Sequence, residues 1–476
     1  MTDPSRRRLT RQPRPGPIIA VLALAGMTAS FMQTIVTPIQ AELPELLSAS
    51  REDTAWVVTV TLLVSAVCTP VSGKLGDMYG KRRVALVLIA LLIVGSVVAA
   101  FSSSVVPMIV GRALQGTGMG VIPLGIAILR DSVPERRLPS AVALVSATLG
   151  VGGALGLPIS AFVTEHFDWH LLFWVAAGLG AIVFVLYLVV VPVSPLRTGG
   201  RFDLVGAIGL AIGLVAMLLG ISKGSEWGWG SAPTLWSFGV GLVVLLVWGW
   251  YQLRVSGPLV DLRVSARGPV LLTNLASVAM GFSLFASSIV FPQLLELPVA
   301  TGGLGLSLLH ASFVLMPSGL IMLVMSPVAG RLESRIGAKP LFVLGSAVIA
   351  AAYAIAVFAP KGVWEVLLIN SIVGLGIGLG YAAIPTLIMK AVPGHETAAA
   401  NGLNTLMRSL GTSIASAAIG AVLAQSAIEV GGVAVPTADG FQLSLVFGLV
   451  AAIVCCAVAS TIPRPRRAPG EHPSLP

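Results

Sequence analysis

The sequence predicts an all-α membrane protein with fourteen transmembrane helices, arranged as two six-helix halves plus two extra central helices. Three observations predict this class: a very apolar composition, a series of uncharged segments of spanning length, and a glycine-rich motif that occurs twice. Of the 476 residues, 56% are hydrophobic and 10% are charged, and the mean hydropathy is +0.94. Soluble globular proteins carry about 25% charged residues. The chain therefore has too little polar surface for a water-soluble body of this size.

Segments with few or no charges, each long enough to cross a bilayer, recur along the whole chain. The first runs from Ile18 to Thr37, and its length favours a retained span over a cleaved signal peptide. The fourteen predicted spans lie near 18–38, 54–73, 84–105, 106–129, 138–161, 171–193, 204–222, 232–253, 268–295, 305–330, 340–360, 366–389, 397–428 and 440–462.

These spans divide the chain into five parts. The predicted parts are a cytoplasmic tail at 1–17, an N-terminal six-helix half at 18–193, an extra two-helix hairpin at 204–253, a C-terminal six-helix half at 268–462 and a cytoplasmic tail at 463–476. The sequence does not indicate the role of the hairpin.

The positive charges predict the orientation. If the N-terminus lies inside, 24 of the 29 Lys and Arg residues fall on the inner side or in the tails, and only Arg51, Lys223 and Lys361 fall outside. The positive-inside rule then predicts a multi-pass protein of the inner or plasma membrane with both termini cytoplasmic. Since the cations lie in short loops, the net charge of +9 indicates anionic lipid headgroups as partners and not nucleic acid.

Catalytic and metal-binding motifs are absent from the sequence. The five His residues have no metal-ligand spacing, and no nucleophile elbow, phosphate loop or zinc motif is present. Cys68, Cys455 and Cys456 all lie in apolar segments, so a structural disulfide is not expected. We expect no enzyme activity, no catalytic residues, no metal, no cofactor and a monomeric chain.

A duplicated unit is visible in the glycine motifs. "GKLGDMYGK" (Gly73–Lys81) returns as "GRLESRIGA" (Gly330–Ala338), and "GTGMG" (Gly116–Gly120) returns as "GLGIG" (Gly374–Gly378). The two offsets, 257 and 258 residues, are nearly equal, so each copy holds about six spans. Parallel halves related by an axis along the membrane normal are a known transporter design, with the substrate site at their interface.

Several of these stretches resemble one protein family. "GKLGDMYGKRR" is similar to the loop signature between spans two and three of the major facilitator superfamily, "GRALQGTGMG" (Gly111–Gly120) to its span-four Arg motif, and "LGVGGALGLP" (Leu149–Pro158) to the span-five motif of its antiporters. "WVVTVTLL" (Trp56–Leu63) and "ANGLNTLMRSLG" (Ala400–Gly411) resemble the fourteen-span drug:proton antiporters. The resemblance covers nearly the whole chain. It implies the major facilitator fold and proton-driven export of small lipophilic or amphipathic compounds by alternating access.

We interpret the motif at 73–83 as a conformational latch on the inner face. Its glycines permit tight turns and close helix approach, and Asp77 can accept from helix N-terminal N–H groups or from an Arg. Such a latch would hold the halves together when the protein is open outward. The alternative, a loop that only sets topology, explains the cations but not the glycines and Asp77. The predicted latch residues are Gly73, Gly76, Asp77, Gly80, Lys81, Arg82, Gly330 and Gly337.

The second copy of the motif carries Glu333 and Ser334 where the first carries Gly76 and Asp77. We therefore expect a weaker latch there.

Two arginines lie inside predicted spans. A charge at such depth is costly unless paired or wetted, so Arg112 and Arg408 are predicted to act in the cavity or in coupling. Arg112 could instead snorkel to the outer surface. Asn401 and Asn404, on much the same helix face as Arg408, could instead satisfy a purely structural Arg.

Span five and the polar residues of other spans supply further candidates. We predict a pliable helix seam at Gly152, Gly153, Gly156 and Pro158, with ordinary small-residue packing as the alternative. The remaining cavity lining should be apolar, which suits a lipophilic cargo. The predicted polar cavity residues are Gln33, Gln115, Asn274, Asn370, Asn404 and Tyr381.

Proton coupling is the open question of the sequence. "FMQTIVTPIQAELP" resembles the subfamily's first-span motif, yet Met32 stands where an Asp is usual. None of the 20 acids is predicted deep in a span, so the titrating candidates are Glu296, Glu165 and His310. The alternatives are a facilitator or lipid-type exporter without ordinary proton coupling, and a scaffold or sensor that transports nothing. Two sets of glycine motifs argue against a static scaffold.

The orientation can be tested by labelling intact cells. Tags at residue 1, within 194–203 and at residue 476 should be protected from an external reagent, whereas the 223–231 loop should react, because the cations place the first three inside. External labelling at 194–203 would contradict the fourteen-span topology.

Overall fold

Long apolar segments form helices in the computed structural model of the chain, because a bilayer offers backbone N–H and C=O groups no partners other than each other. The structure describes residues 15–40, 42–193, 199–299, 302–358, 362–430 and 433–463. In this part of the chain fourteen helices are long and apolar enough to cross a membrane, which confirms the predicted number of spans. Nearly all of the two predicted tails lies outside the described residues.

The first six spans contain eight helices, because the fourth span is interrupted and a short helix precedes the second. Their bounds are α1 (Pro15–Thr34), α2 (Leu43–Leu46), α3 (Arg51–Tyr79), α4 (Lys81–Ala100), α5 (Val105–Gly116), α6 (Val121–Ser132), α7 (Leu138–His166) and α8 (His170–Val190). A 3-10 turn at Thr117–Gly120 joins α5 to α6 and contains the "GTGMG" motif.

The remaining eight spans follow the same pattern of long helices. The central hairpin consists of α9 (Leu204–Trp227) and α10 (Ala232–Gln252), and a short α11 (Leu262–Ser265) leads to the last six spans. These are α12 (Gly268–Glu296), α13 (Leu308–Ile336), α14 (Ala338–Phe358), α15 (Val363–Ala391), α16 (Thr397–Gln425) and α17 (Ala438–Thr461). Two short antiparallel strands, β1 (Ala427–Val430) and β2 (Val433–Pro436), lie between α16 and α17, so the predicted span at 397–428 was too long.

The glycine motif at 73–81 is helical, contrary to the predicted loop. Helix α3 continues to Tyr79, and the chain turns at the single residue Gly80 before α4 begins at Lys81. Gly80 has φ +110°, a conformation that only glycine adopts readily. The predicted span at 54–73 was therefore too short. Gly337, with φ +90°, makes the corresponding turn between α13 and α14.

Equivalent glycines make equivalent contacts in the two halves. A Cβ atom at Gly116 would lie 2.6 Å from the carbonyl oxygen of Thr61, and one at Gly374 would collide with the carbonyl oxygen of Ser318. Glycine and partner are thus each displaced by 257 or 258 residues between the copies. The offset found in the sequence therefore relates helix contacts as well as motifs.

The halves meet along two seams. Helix α3 packs against α16, and α7 packs against α13. Helix α9 of the central hairpin lies along the first seam, where Leu210 and Leu214 join an apolar cluster with Leu63 of α3 and Leu406 of α16. The hairpin thus contacts both halves and covers the α3–α16 seam.

The helix contacts predict the cost of adding one carbon atom. We expect Gly374→Ala to reduce the free energy of unfolding by about 1–3 kcal/mol, because the new methyl group must displace the backbone of α13. The measurement is the Tm of the purified protein. Gly178→Ala is the matched control, since nothing lies within 4 Å of a Cβ at Gly178. Equal losses in both variants would contradict this packing.

Candidate functional site: the latch and two buried arginines

Asp77 joins the two halves at one end of the α3–α16 seam. Its carboxylate, on a side chain in the last turns of α3, accepts a hydrogen bond of 2.9 Å from the backbone N–H of Ala399 in the first turn of α16. The first N–H groups of a helix lack intrahelical partners and form its positive end, so a carboxylate is well suited there. Gly73, one turn earlier, permits this approach because a Cβ there would lie 2.5 Å from the carbonyl oxygen of Ala398. Asp77 itself is 2% exposed.

Lys81 lies between two carboxylates beside this contact. Its Nζ donates to Asp131 at 2.6 Å and lies 3.9 Å from the other oxygen of Asp77, and the residue is fully buried. Removing one partner from such a group leaves an uncompensated buried charge. The motif predicted a latch role for Lys81, but no sequence signal pointed to Asp131, which lies 50 residues away at the end of α6.

Arg130 supplies a second link between the halves. Its guanidinium donates to the hydroxyl of Thr397 at the start of α16 and, at 3.4 Å, to the carbonyl oxygen of Val392. In the sequence, Arg130 is only one of the 24 positive charges that predict the orientation in the membrane. Arg82, which we predicted in the latch, donates instead to the carbonyl oxygen of Leu188 within the same half. We use "latch" below for Asp77, Lys81, Arg130 and Asp131 with the start of α16.

The second copy of the motif packs but does not form the same bonds. Gly330 closely approaches the backbone of Ser140 at the start of α7, as Gly73 approaches Ala398. Ser334, the counterpart of Asp77, is exposed and donates to the carbonyl oxygen of Arg331 within its own helix. Glu333 is buried, with one oxygen that has no hydrogen-bond partner among the described residues. No hydrogen bond between α7 and α13 is described for this seam.

Arg112 is buried inside the N-terminal half without a carboxylate among its described partners. Its guanidinium donates to the carbonyl oxygens of Met32 (2.7 Å) and Val57 (3.3 Å) and to Gln115 (2.8 Å). Gln115, a predicted cavity residue, in turn donates to Ser96 at 2.8 Å. Arg112 is 1% exposed, so the alternative of snorkelling to the surface is wrong. The backbone carbonyl oxygen of Met32 thus accepts a hydrogen bond from Arg112 at the position where the subfamily usually carries an Asp.

Arg408 is satisfied by an aromatic ring and a hydroxyl. Its guanidinium lies 4.6 Å from the ring centre of Tyr381 and donates to Thr405 at 3.1 Å. The two asparagines make other bonds: Asn401 donates to the carbonyl oxygen of Thr397, and Asn404 donates to Asn274 at 2.9 Å. The alternative in which these asparagines satisfy Arg408 is therefore wrong.

The remaining predicted cavity residues are separate from this pair. Asn370 donates to the carbonyl oxygen of Leu315, and Gln33 is half-buried near the end of α1. The structure thus brings Asn404 together with Asn274, and Arg408 with Tyr381.

Helix α7 presents its glycines to two different neighbours. Gly152 and Gly156 contact Ser30 and Thr34 of α1, within the same half. Gly150 instead meets Gly319 of α13 across the second seam. The predicted seam residues Gly152, Gly153 and Gly156 therefore lie on the α1 side, with Pro158 buried in the same helix, and Gly150 is the glycine that contacts the opposite half.

The three coupling candidates lie at helix ends. Glu165, Glu296 and His310 are exposed, and His310 Nδ1 lies 2.7 Å from the hydroxyl of Ser307. None of them is a described hydrogen-bond partner of Arg112. The structure does not bring them together with the buried arginines.

Two helical halves with equivalent contacts, joined across seams within a fourteen-helix bundle, define a multi-pass membrane transporter. The family model of the Major Facilitator Superfamily matches residues 22–416 and 274–475, so the chain belongs to this family. Fourteen candidate spans fit the fourteen-span drug:proton antiporter subfamily named by the sequence motifs. The matched family and the relatives of this chain are transporters and not enzymes.

Several curated relatives carry names of resistance proteins. The chain is 27% identical to the lincomycin resistance protein LmrB of Listeria monocytogenes, over 93% of this chain and 95% of that protein. It is 27% identical to the tetracenomycin C resistance and export protein of Streptomyces glaucescens, over 86% of this chain and 76% of that protein. Among solved structures, the human organic anion transporter MFSD10 (TETRAN) has a TM-score of 0.67 at 14% identity, covering 94% of this chain and all of that one. That likeness shows the fold.

The bond between Asp77 and Ala399 can be measured directly. We expect Asp77→Asn to raise hydrogen–deuterium exchange at the Ala399 amide about fivefold, because a neutral acceptor is weaker than a carboxylate by ~1 kcal/mol. The control is Asp168→Asn, which changes an acid whose side chain is 70% exposed. Unchanged exchange at Ala399 in the Asp77 variant would show that this bond does not hold the seam.

Proposed function

We propose that the protein exports small lipophilic or amphipathic compounds across the cell membrane by alternating access, with protons as the coupled ion. The observation that carries the proposal is the latch. It ties the halves through a few polar bonds at one end of a seam that otherwise consists of close helix packing. Contacts of this kind can break as a unit while each half stays intact, which is what a rocking motion between two states requires.

The orientation of the cations supports placing the latch on the cytoplasmic face. Asp77, Lys81 and Arg130 all lie at the helix ends that the positive-inside rule assigns to the inside. A closed inner end corresponds to a state that faces outward. Release of the latch would then open the path from the cytoplasm, where an exporter must take up its cargo.

The substrate class rests on the lining residues and on the relatives. The polar candidates within the bundle bond largely to one another or to the backbone, as Asn404 does to Asn274 and Asn370 to Leu315. Few polar groups are thus free to orient a ligand, which suits a mostly apolar cargo. The names of the relatives, with lincomycin and tetracenomycin C among them, agree with such a class.

One observation favours a second candidate, a facilitator or lipid-type exporter without ordinary proton coupling. Arg112 is neutralised by no carboxylate among its described partners, because Met32 contributes only its backbone carbonyl. A proton-coupled cavity needs a group that gains and loses a proton as access alternates. At this position the chain has none.

The proposal is tested by flux measurements in proteoliposomes. A panel of lipophilic and amphipathic compounds is assayed for export with the wild type, Asp77→Asn and the control Asp168→Asn. We expect export of some compounds by the wild type and by the control, and a severe loss in Asp77→Asn with normal membrane insertion. Near-normal turnover in Asp77→Asn would reduce this residue to a topology signal, and flux of no compound would contradict the export function.

The same liposomes test the coupling. We predict that protons act through groups outside the first span and that export depends only weakly on an imposed pH gradient, because the first span offers no titrating group beside Arg112. What dependence there is should vanish when Glu296, Glu165 and His310 are replaced together by Gln, Gln and Ala. Strong proton-driven flux that survives the triple replacement would place the coupling elsewhere.

A further inference from the structure

The second seam contains a cationic cavity where the first contains a carboxylate. Between the start of α7 and the end of α13 lies a cavity of about 660 Å³. Arg136, Arg137 and Arg331 line it, together with Ser140 and Ser334. It therefore lies between the two halves of the protein, beside the close approach of Gly330 to Ser140.

The charges in this cavity are not balanced by the protein. All three arginines are exposed, and none of their guanidinium groups has a hydrogen bond or ion pair with another of the described residues. Glu135 is the single acid in the lining, so three positive charges face one negative charge. Guanidinium groups that line one cavity suit a phosphate as ligand, because they bind phosphates with paired N–H donors.

The internal repeat indicates what the cavity accepts. Ser140 at the start of α7 is the counterpart of Ala398 at the start of α16, with an offset of 258 residues, and Gly330 is the counterpart of Gly73. At the start of α16 an anion is present, the Asp77 carboxylate bonded to Ala399. Near the start of α7, the position in α13 equivalent to Asp77 holds the uncharged Ser334, and both helices line the arginine-containing cavity.

We propose that this cavity binds a phosphate group, which takes at the second seam the place that the Asp77 carboxylate takes at the first. The group bridges the halves, because Arg136 and Arg137 belong to the N-terminal half and Arg331 to the C-terminal half. Phosphate groups of this kind are carried by anionic lipids at the membrane surface and, in free form, by the surrounding solution. The site is independent of the transported compound.

Native mass spectrometry of the full-length protein tests the proposal, with phosphatidylglycerol and phosphatidylcholine as probes. The combined variant Arg136→Gln, Arg137→Gln and Arg331→Gln should retain phosphatidylglycerol at least about tenfold less than the wild type. The control replaces Arg83, Arg201 and Arg267 by Gln, which removes the same charge from exposed positions outside the cavity. Equal loss in both triple variants, or no loss in the first, would overturn the proposal.

A single substitution tests the role of the repeat. Ser334→Asp places a carboxylate where the second seam lacks one, and it should displace the bound phosphate group, whereas Ser334→Asn should not. Retention of phosphatidylglycerol by Ser334→Asp at the wild-type level would contradict the equivalence of the two seams.

Inorganic phosphate separates the two sources of the group. If the lipid is the ligand, phosphatidylglycerol raises the Tm of the wild type and inorganic phosphate only competes with it. If free phosphate is the ligand, inorganic phosphate alone raises the Tm, and the effect is lost in the arginine variant. A Tm that responds to neither probe would overturn the site.

Discussion

The hydrogen bond from the Ala399 backbone to the Asp77 carboxylate is the contact on which the proposed latch depends. It requires α3 to approach the start of α16 closely, and that approach requires glycine at position 73. The carboxylate is buried, so it also requires Lys81, and Lys81 with its own burial requires Asp131. Each charge is tolerated because the next is present, and loss of one leaves another uncompensated. A contact built in this way is either fully formed or released, as a switch between two states requires.

The two seams differ although the halves are copies of one unit. The α3–α16 seam combines the polar latch with the apolar cover of α9, whereas the α7–α13 seam relies on the packing of Gly150 against Gly319. Small residues let helices shift against each other with few bonds to break. In the proposed motion, the polar bonds of the first seam would determine when the halves separate, and the second seam would add the bound phosphate group to its glycine packing. Equivalent positions of the two copies hold different residues, such as Asp77 and Ser334, and these differences make the two seams unequal.

The sequence was sufficient for the features that repeat with a helical or an internal period. Fourteen spans and the offset of 257 to 258 residues follow from patterns along the chain, because hydrophobic length and glycine spacing are local signals. The latch role of Asp77 stays a prediction from the same motif. Partners distant in sequence gave no such signal. Helix packing determines that Asp131 pairs with Lys81, that the Met32 carbonyl oxygen bonds to Arg112, and that Gly150 and not Gly152 contacts the opposite half. The motif match also placed Gly73 and Gly76 in a loop, whereas they lie in the last turns of α3.

The absence of an acid at position 32 changes which groups neutralise or bond to Arg112. A guanidinium does not lose its proton in a protein, so the charge persists in both access states and must be met by permanent partners. Here those partners are two backbone carbonyl oxygens and Gln115, none of which titrates. An Asp in place of Met32 could exchange its bond to Arg112 for a proton, and the pair would then respond to pH. With carbonyl partners the network is constant, and Arg112 instead ties α5 to α1 and α3 within one half. In the proposed alternating motion, such a network would keep the N-terminal half rigid while the latch opens and closes.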